Sequence, residues 1–96
     1  MEVKEYKGTK NDLVIGLVNR FVLTGKDKII TISLLKKGKE FEINQWAMDS
    51  DGNELETYRV ETTGFRKKYY AMQEIKSIIK KYVPTYGEKK VYKKRK

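Results

Sequence analysis

Cysteine and histidine are both missing from this 96-residue chain, and proline occurs once. Without cysteine there is no disulfide framework, no thiolate zinc site and no thiol nucleophile. Without histidine the commonest metal ligand and the commonest general base are gone. No apolar run approaches the ~18 residues of a membrane span. The opening Met1-Glu2-Val3-Lys4-Glu5 lacks the pattern of a signal peptide, and no Gly-rich phosphate loop occurs. The expectation is a small cytoplasmic binding protein (in the host cytoplasm if the chain is viral). It needs no catalytic residue, cofactor, metal or small-molecule substrate, and contacts no membrane.

What is present is charge, and it is unevenly placed. The formal net charge is +9. Residues 1–63 carry 10 basic and 11 acidic side chains, whereas residues 64–96 carry 12 basic and 2 acidic. Two groups build the excess: Arg66-Lys67-Lys68 with Lys76, Lys80 and Lys81, and the terminal run containing Lys89, Lys90, Lys93, Lys94 and Arg95. A basic arm behind a near-neutral body reads as the electrostatic footprint of a polyanion partner; the plainer reading is a solubilising tail. Self-repulsion predicts that this run is disordered when free. The length suits one domain, since domains usually hold ~100–200 residues. We place that domain at 1–84 and a flexible basic tail at 85–96.

Four segments have strand composition: 12–23, 28–36, 39–48 and 53–63, separated by Gly25-Lys26-Asp27, Lys37-Gly38 and Asp49-Ser50-Asp51-Gly52. A two-residue turn at Lys37-Gly38 sets Leu34 opposite Phe41. A four-residue loop at Asp49–Gly52 sets Ile43 opposite Tyr58. Both hairpins then agree on one apolar face holding Ile30, Ile32, Leu34, Phe41, Ile43, Tyr58 and Val60. The opposite face holds Thr31, Asn44, Trp46, Leu55, Thr57 and Arg59, with Glu42 facing Arg59 as a cross-strand ion pair. An even turn after the first strand adds Val18, Arg20 and Val22 to the Trp46 face.

After Gly64 the period changes. Phe65, Tyr69, Met72, Ile75, Ile79 and Tyr82 recur at helical steps, Thr62 or Thr63 offers a cap, and Pro84 ends the run. The expected architecture is therefore α+β: a four-stranded antiparallel sheet followed by one amphipathic helix (ββββα). The helix roofs one face and leaves the Trp46 face uncovered. Arg66-Lys67-Lys68 falls in the first helical turn, where the macrodipole disfavours cations and an anion would complete the site.

An open face mixing Trp46 with Arg20, Asn44 and Arg59 suits unpaired nucleic acid, because bases stack on rings while cations follow the backbone. The competing reading is a homodimer patch around Trp46. The acidic turn Asp49–Glu54 resembles a calcium loop only superficially: its glycine is fourth instead of sixth.

Phe41-Glu42-Ile43-Asn44-Gln45-Trp46 followed by Asp49–Glu54, and Thr62-Thr63-Gly64 followed by the aromatic-bearing helix, form a layout that resembles the positive cofactor four family of transcriptional coactivators. Asn44 stands where that family usually carries a basic residue. The resemblance implies a homodimer that binds unpaired DNA along cation-lined channels, with Trp46, Arg59 and Asn44 as contacts.

The expected function is non-sequence-specific binding of single-stranded DNA or RNA, DNA favoured. Arg20, Asn44, Trp46, Arg59, Arg66, Lys67, Lys68 and the terminal Lys89, Lys90, Lys93, Lys94 and Arg95 supply the contacts. The alternatives are a viral or plasmid type of regulator docking on a host protein through Trp46, and a histidine-free ribonuclease.

Overall fold

The computed structural model describes residues 1–87. Five antiparallel strands, β1 (Glu2–Lys7), β2 (Leu17–Thr24), β3 (Lys28–Lys37), β4 (Glu40–Asp49) and β5 (Val60–Phe65), form one sheet in chain order. A short helix α1 (Lys10–Val14) interrupts β1 and β2, a 3-10 turn (Glu56–Tyr58) precedes β5, and helix α2 (Lys68–Tyr82) ends the fold. The class is α+β, as expected, but the sheet has five strands instead of four. No helix among the described residues is long and apolar enough to cross a membrane.

The extra strand is β1. Its sequence Glu-Val-Lys-Glu-Tyr-Lys buries no side chain and half-buries only Val3, so it has no apolar alternation to betray it. Charged side chains are usual on an edge strand, where they discourage pairing with other chains. The segment 12–23, expected to be a single strand, divides. Thr9 and Asp12 form a capping box that starts α1. Gly16 then takes φ 91°, a region open to glycine, and its carbonyl accepts the Lys36 N–H at 2.7 Å. A side chain at Gly8 would run into the Leu17 carbonyl. These two glycines let α1 stand over the sheet corner, with Leu13, Val14 and Ile15 turned outward at 54%, 85% and 76% exposure. A bulge between Leu17 and Asn19 follows, and it turns half-buried Val18 against the core instead of onto the Trp46 face.

The β3–β4 register is displaced by two residues from expectation: Lys37 faces Glu40, so Leu34 faces Ile43 and not Phe41. Gly38 supplies the positive φ, 63°, that a two-residue hairpin requires at its first central position. An even displacement preserves the faces. The β4–β5 connection departs further. Asp49 Oδ1 accepts the N–H groups of Asp51 and Asn53, both at 2.9 Å. The Leu55 N–H then bonds the Ala47 carbonyl at 2.8 Å, and Leu55 packs against the core instead of lying on the Trp46 face. Thr57 is drawn into the 3-10 turn, β5 begins at Val60, and Ile43 faces Thr62 instead of Tyr58.

The core lies between the sheet and α2. Phe21, Leu23, Ile30, Ile32, Leu34, Ile43 and Ala47 meet Ala71, Ile75, Ile78 and Ile79. The helix begins at Lys68 because Phe65 is still in β5, paired with Phe41. Its N-cap is Lys67, which makes no capping bond, so neither Thr62 nor Thr63 caps it. Tyr69, expected in the apolar stripe, is 65% exposed, and Ala71 and Ile78 take the buried places instead. The helix ends at Tyr82, just before Pro84.

One polar bond pins the helix. The side-chain amide of Gln45, buried among apolar neighbours, donates to Tyr82 Oη and to the Tyr58 carbonyl, both at 3.0 Å. Tyr82→Phe leaves one of those donors orphaned, so it is expected to cost ~1–3 kcal/mol. A lowered urea midpoint with unchanged slope is the readout; an unmoved midpoint would mean the bond adds nothing.

Candidate nucleic-acid interface

Strand pairing arranges the face away from α2 in rows. Tyr6, Arg20, Ser33, Asn44 and Glu61 are consecutive partners across all five strands. Lys4, Val22, Thr31 and Trp46 make the next row. Leu17, Leu35 and Glu42 make the row on the other side. A polar ladder thus crosses the sheet between Trp46 and an aliphatic strip.

Trp46 is half-buried. It borders a hollow of about 400 Å³ at the β5 edge, shared with Asn44, Met48, Arg59 and Glu61. A second hollow, of about 440 Å³, opens where α1 overlooks the face; Tyr6, Asp12, Leu17, Arg20 and Val22 line it. The two hollows flank the centre of the face, where Ser33 is buried under its neighbours' side chains, and α1 borders one corner that was expected to be open.

The polar groups are tied to one another. Arg20 Nε donates to Ser33 Oγ at 3.4 Å. Asn44 Nδ2 donates to Glu42 Oε2 at 3.0 Å. Asn44 Oδ1 is buried and accepts no hydrogen bond among the described residues. Arg59 does not reach Glu42. Its Nε bonds Glu54 Oε2 at 2.7 Å, because the turn carries Glu54 back beside it while Arg59 stands ahead of β5. That bond holds the Glu54 carboxyl below its usual range and raises the guanidinium. Glu42 instead lies 4.0 Å from Lys37 Nζ. At the other hollow, the Thr9 backbone N–H and then its hydroxyl hold Asp12 below the usual carboxylate range.

The structure thus gathers Asn44, Trp46 and Arg59 at one hollow and sets Arg20 two strands away, ~10 Å at ordinary strand spacing. It does not bring Arg66, Lys67 and Lys68 to them. Arg66 lines a separate hollow, of about 500 Å³, with Lys39 and Glu40 at the β3–β4 turn. That turn lies six residues along β4 from Trp46, ~20 Å at the antiparallel rise. Lys67 is the α2 cap and Lys68 its first residue, so the triplet precedes the helix more than it fills its first turn. Lys89, Lys90, Lys93, Lys94 and Arg95 lie outside the described residues.

Sequence reasoning missed Lys4 and Tyr6, which belong to the unrecognised edge strand. Tyr6 is 51% exposed. The only sequence signal for it is an aromatic between Lys4 and Lys7 in a charged segment. Charge on the rows is close to balanced, with Lys4 and Arg20 against Glu42 and Glu61. Among the described residues no cluster of three acidic side chains is placed to hold a metal ion. Compared with known proteins, the chain matches no family model, no curated protein and no solved structure.

Proposed function

We propose that this chain binds single-stranded nucleic acid, DNA in preference to RNA, without sequence specificity. One observation carries the reading: a half-buried indole borders a hollow on the sheet face that α2 leaves bare, beside a polar ladder crossing every strand. Exposed aromatics on open sheets stack bases, each stack being worth ~1–3 kcal/mol. Trp46 is the stacking platform, Tyr6 a second ring at the far hollow, and Arg20 and Arg59 meet phosphates. The basic run at the C-terminal end adds sequence-independent attraction. A preference for DNA and a homodimer are what the sequence resemblance to the positive cofactor four family implies, and we propose both on that ground alone. The compartment we propose is the cytoplasm.

The test is fluorescence anisotropy with labelled oligo-dT, duplex and RNA across a salt series. Each neutralised phosphate on a single strand lowers log K by ~0.7 per decade of salt. Four or more such contacts predict a loss of at least ~50-fold in affinity over a fourfold rise in salt. An affinity indifferent to salt would overturn the mechanism.

The near balance of charge on the rows favours one other reading, a protein partner docked on Trp46. Exposed tryptophan and arginine anchor many interfaces. In that case deleting residues 85–96 leaves partner capture intact, whereas nucleic-acid binding weakens.

A further inference from the structure

The side of α2 turned away from the sheet has a composition of its own. With 3.6 residues per turn, burial of Ala71, Ile75 and Ile79 puts Tyr69, Gln73, Lys76 and Lys80 in one line on the opposite side. Tyr70, Ser77 and Lys81 flank that line, and all seven are exposed. Tyr69 and Tyr70 are 65% and 58% exposed, and their rings meet edge to face at 5.4 Å between centroids. Arg66, Lys67 and Lys68 lead into this surface. Glu74, the single acid between residues 64 and 87, is half-buried at the flank.

An ordinary solvent-facing helix mixes signs, because pairs of opposite charge three or four residues apart stabilise it. Here Lys76 and Lys80 repel at that spacing, by ~0.2–0.5 kcal/mol, while the helix dipole favours Lys80 and Lys81 in the last turn. The cations leading into α2 also oppose its positive end. A polyanion lying along the helix relieves both costs, and two exposed rings beside the lysines give it surfaces for stacking.

We infer that the outer face of α2 is a second nucleic-acid surface. It takes the phosphate backbone of a strand other than the one on the sheet, so one protein molecule bridges two strands. This rests on the sheet reading above, since bridging needs both sides occupied. The two surfaces lie on opposite sides of the sheet–helix sandwich and do not compete for one strand. Bridging brings two strands together against their mutual repulsion, which promotes annealing when they are complementary.

The test uses the full chain, two oligo-dT strands carrying a donor and an acceptor dye, and the intrinsic fluorescence of Trp46, the single tryptophan. The wild type is expected to quench its tryptophan on binding and to bring the dyes into energy transfer. Lys76→Gln/Lys80→Gln/Lys81→Gln, with Tyr69→Ser/Tyr70→Ser as an independent variant, changes only exposed groups. Both variants are expected to keep the quenching while the protein concentration needed for transfer rises ~10-fold or more. Normal quenching with unchanged transfer in both variants overturns the α2 surface alone. Absence of quenching in the wild type overturns the sheet site and bridging with it. Light scattering on the same samples reports association. Transfer that tracks a dimer population and ignores the α2 substitutions also refutes bridging by a single molecule.

Discussion

Ile75→Ala is expected to destabilise the protein by ~2–5 kcal/mol, the range for truncating a fully buried isoleucine. Ile75 is 0% exposed and lies with Ala71, Ile78 and Ile79 in the cluster that joins α2 to Ile30, Ile32 and Leu34. A domain of this size has only ~5–15 kcal/mol of stability in all. The melting temperature is therefore expected to fall by ~10 °C or more. Ile15→Ala is the control: the same chemical change, at a side chain 76% exposed beside α1, is expected to stay within ~0.5 kcal/mol. Thermal melts followed by circular dichroism compare the two. Equal melting temperatures for both variants would mean that α2 does not hold the sheet.

That contrast also shows what the sequence made legible. Alternation in β3 and β4 assigned Ile30, Ile32, Leu34 and Ile43 to one face and Thr31, Asn44 and Trp46 to the other, and both assignments survive. They survive because moving the turn by one residue, from Lys37-Gly38 to Gly38-Lys39, shifts the pairing by two, and a period of two is blind to it. The β4–β5 connection was not legible. Asp49 closes its turn with side-chain hydrogen bonds and Leu55 returns to the core, so long-range packing overrides a segment that reads as a strand. The apolar spacing found a helix but counted it from Phe65. Strand pairing with Phe41 claims Phe65, and a start at Lys68 turns Tyr69 outward. At the candidate site, Trp46 was readable from register alone, and Arg20 only on the condition of an even turn after the first strand, which the Val22–Thr31 pairing meets. Tyr6 was not, because an edge strand made of charges shows no periodicity. The Arg59–Glu54 pair depends on a 3-10 turn that propensity does not announce.

Trp46→Ala is expected to weaken binding of oligo-dT by ~5- to 150-fold. That range is the ~1–3 kcal/mol of one lost stack at 1.4 kcal/mol per factor of ten. The ring carries no charge, so the slope of log affinity against log salt is expected to stay as in the wild type. Arg20→Gln should do the reverse: a smaller loss at low salt, and a slope shallower by ~0.7, the effect of one phosphate contact on a single strand. Arg59 is held by Glu54 at 2.7 Å, and a guanidinium already paired releases less counterion when it meets phosphate. Arg59→Gln should therefore change the slope less than Arg20→Gln does. Trp46→Phe keeps a ring and should recover most of the affinity, which separates stacking from simple loss of apolar surface. The half-buried indole also packs on the sheet, so each variant's melt is recorded beside its binding curve. Weak binding in a variant that melts like the wild type is then a property of the face. If Trp46→Ala binds as the wild type does while remaining folded, no base stacks there, and the bare side of the sheet serves a different partner.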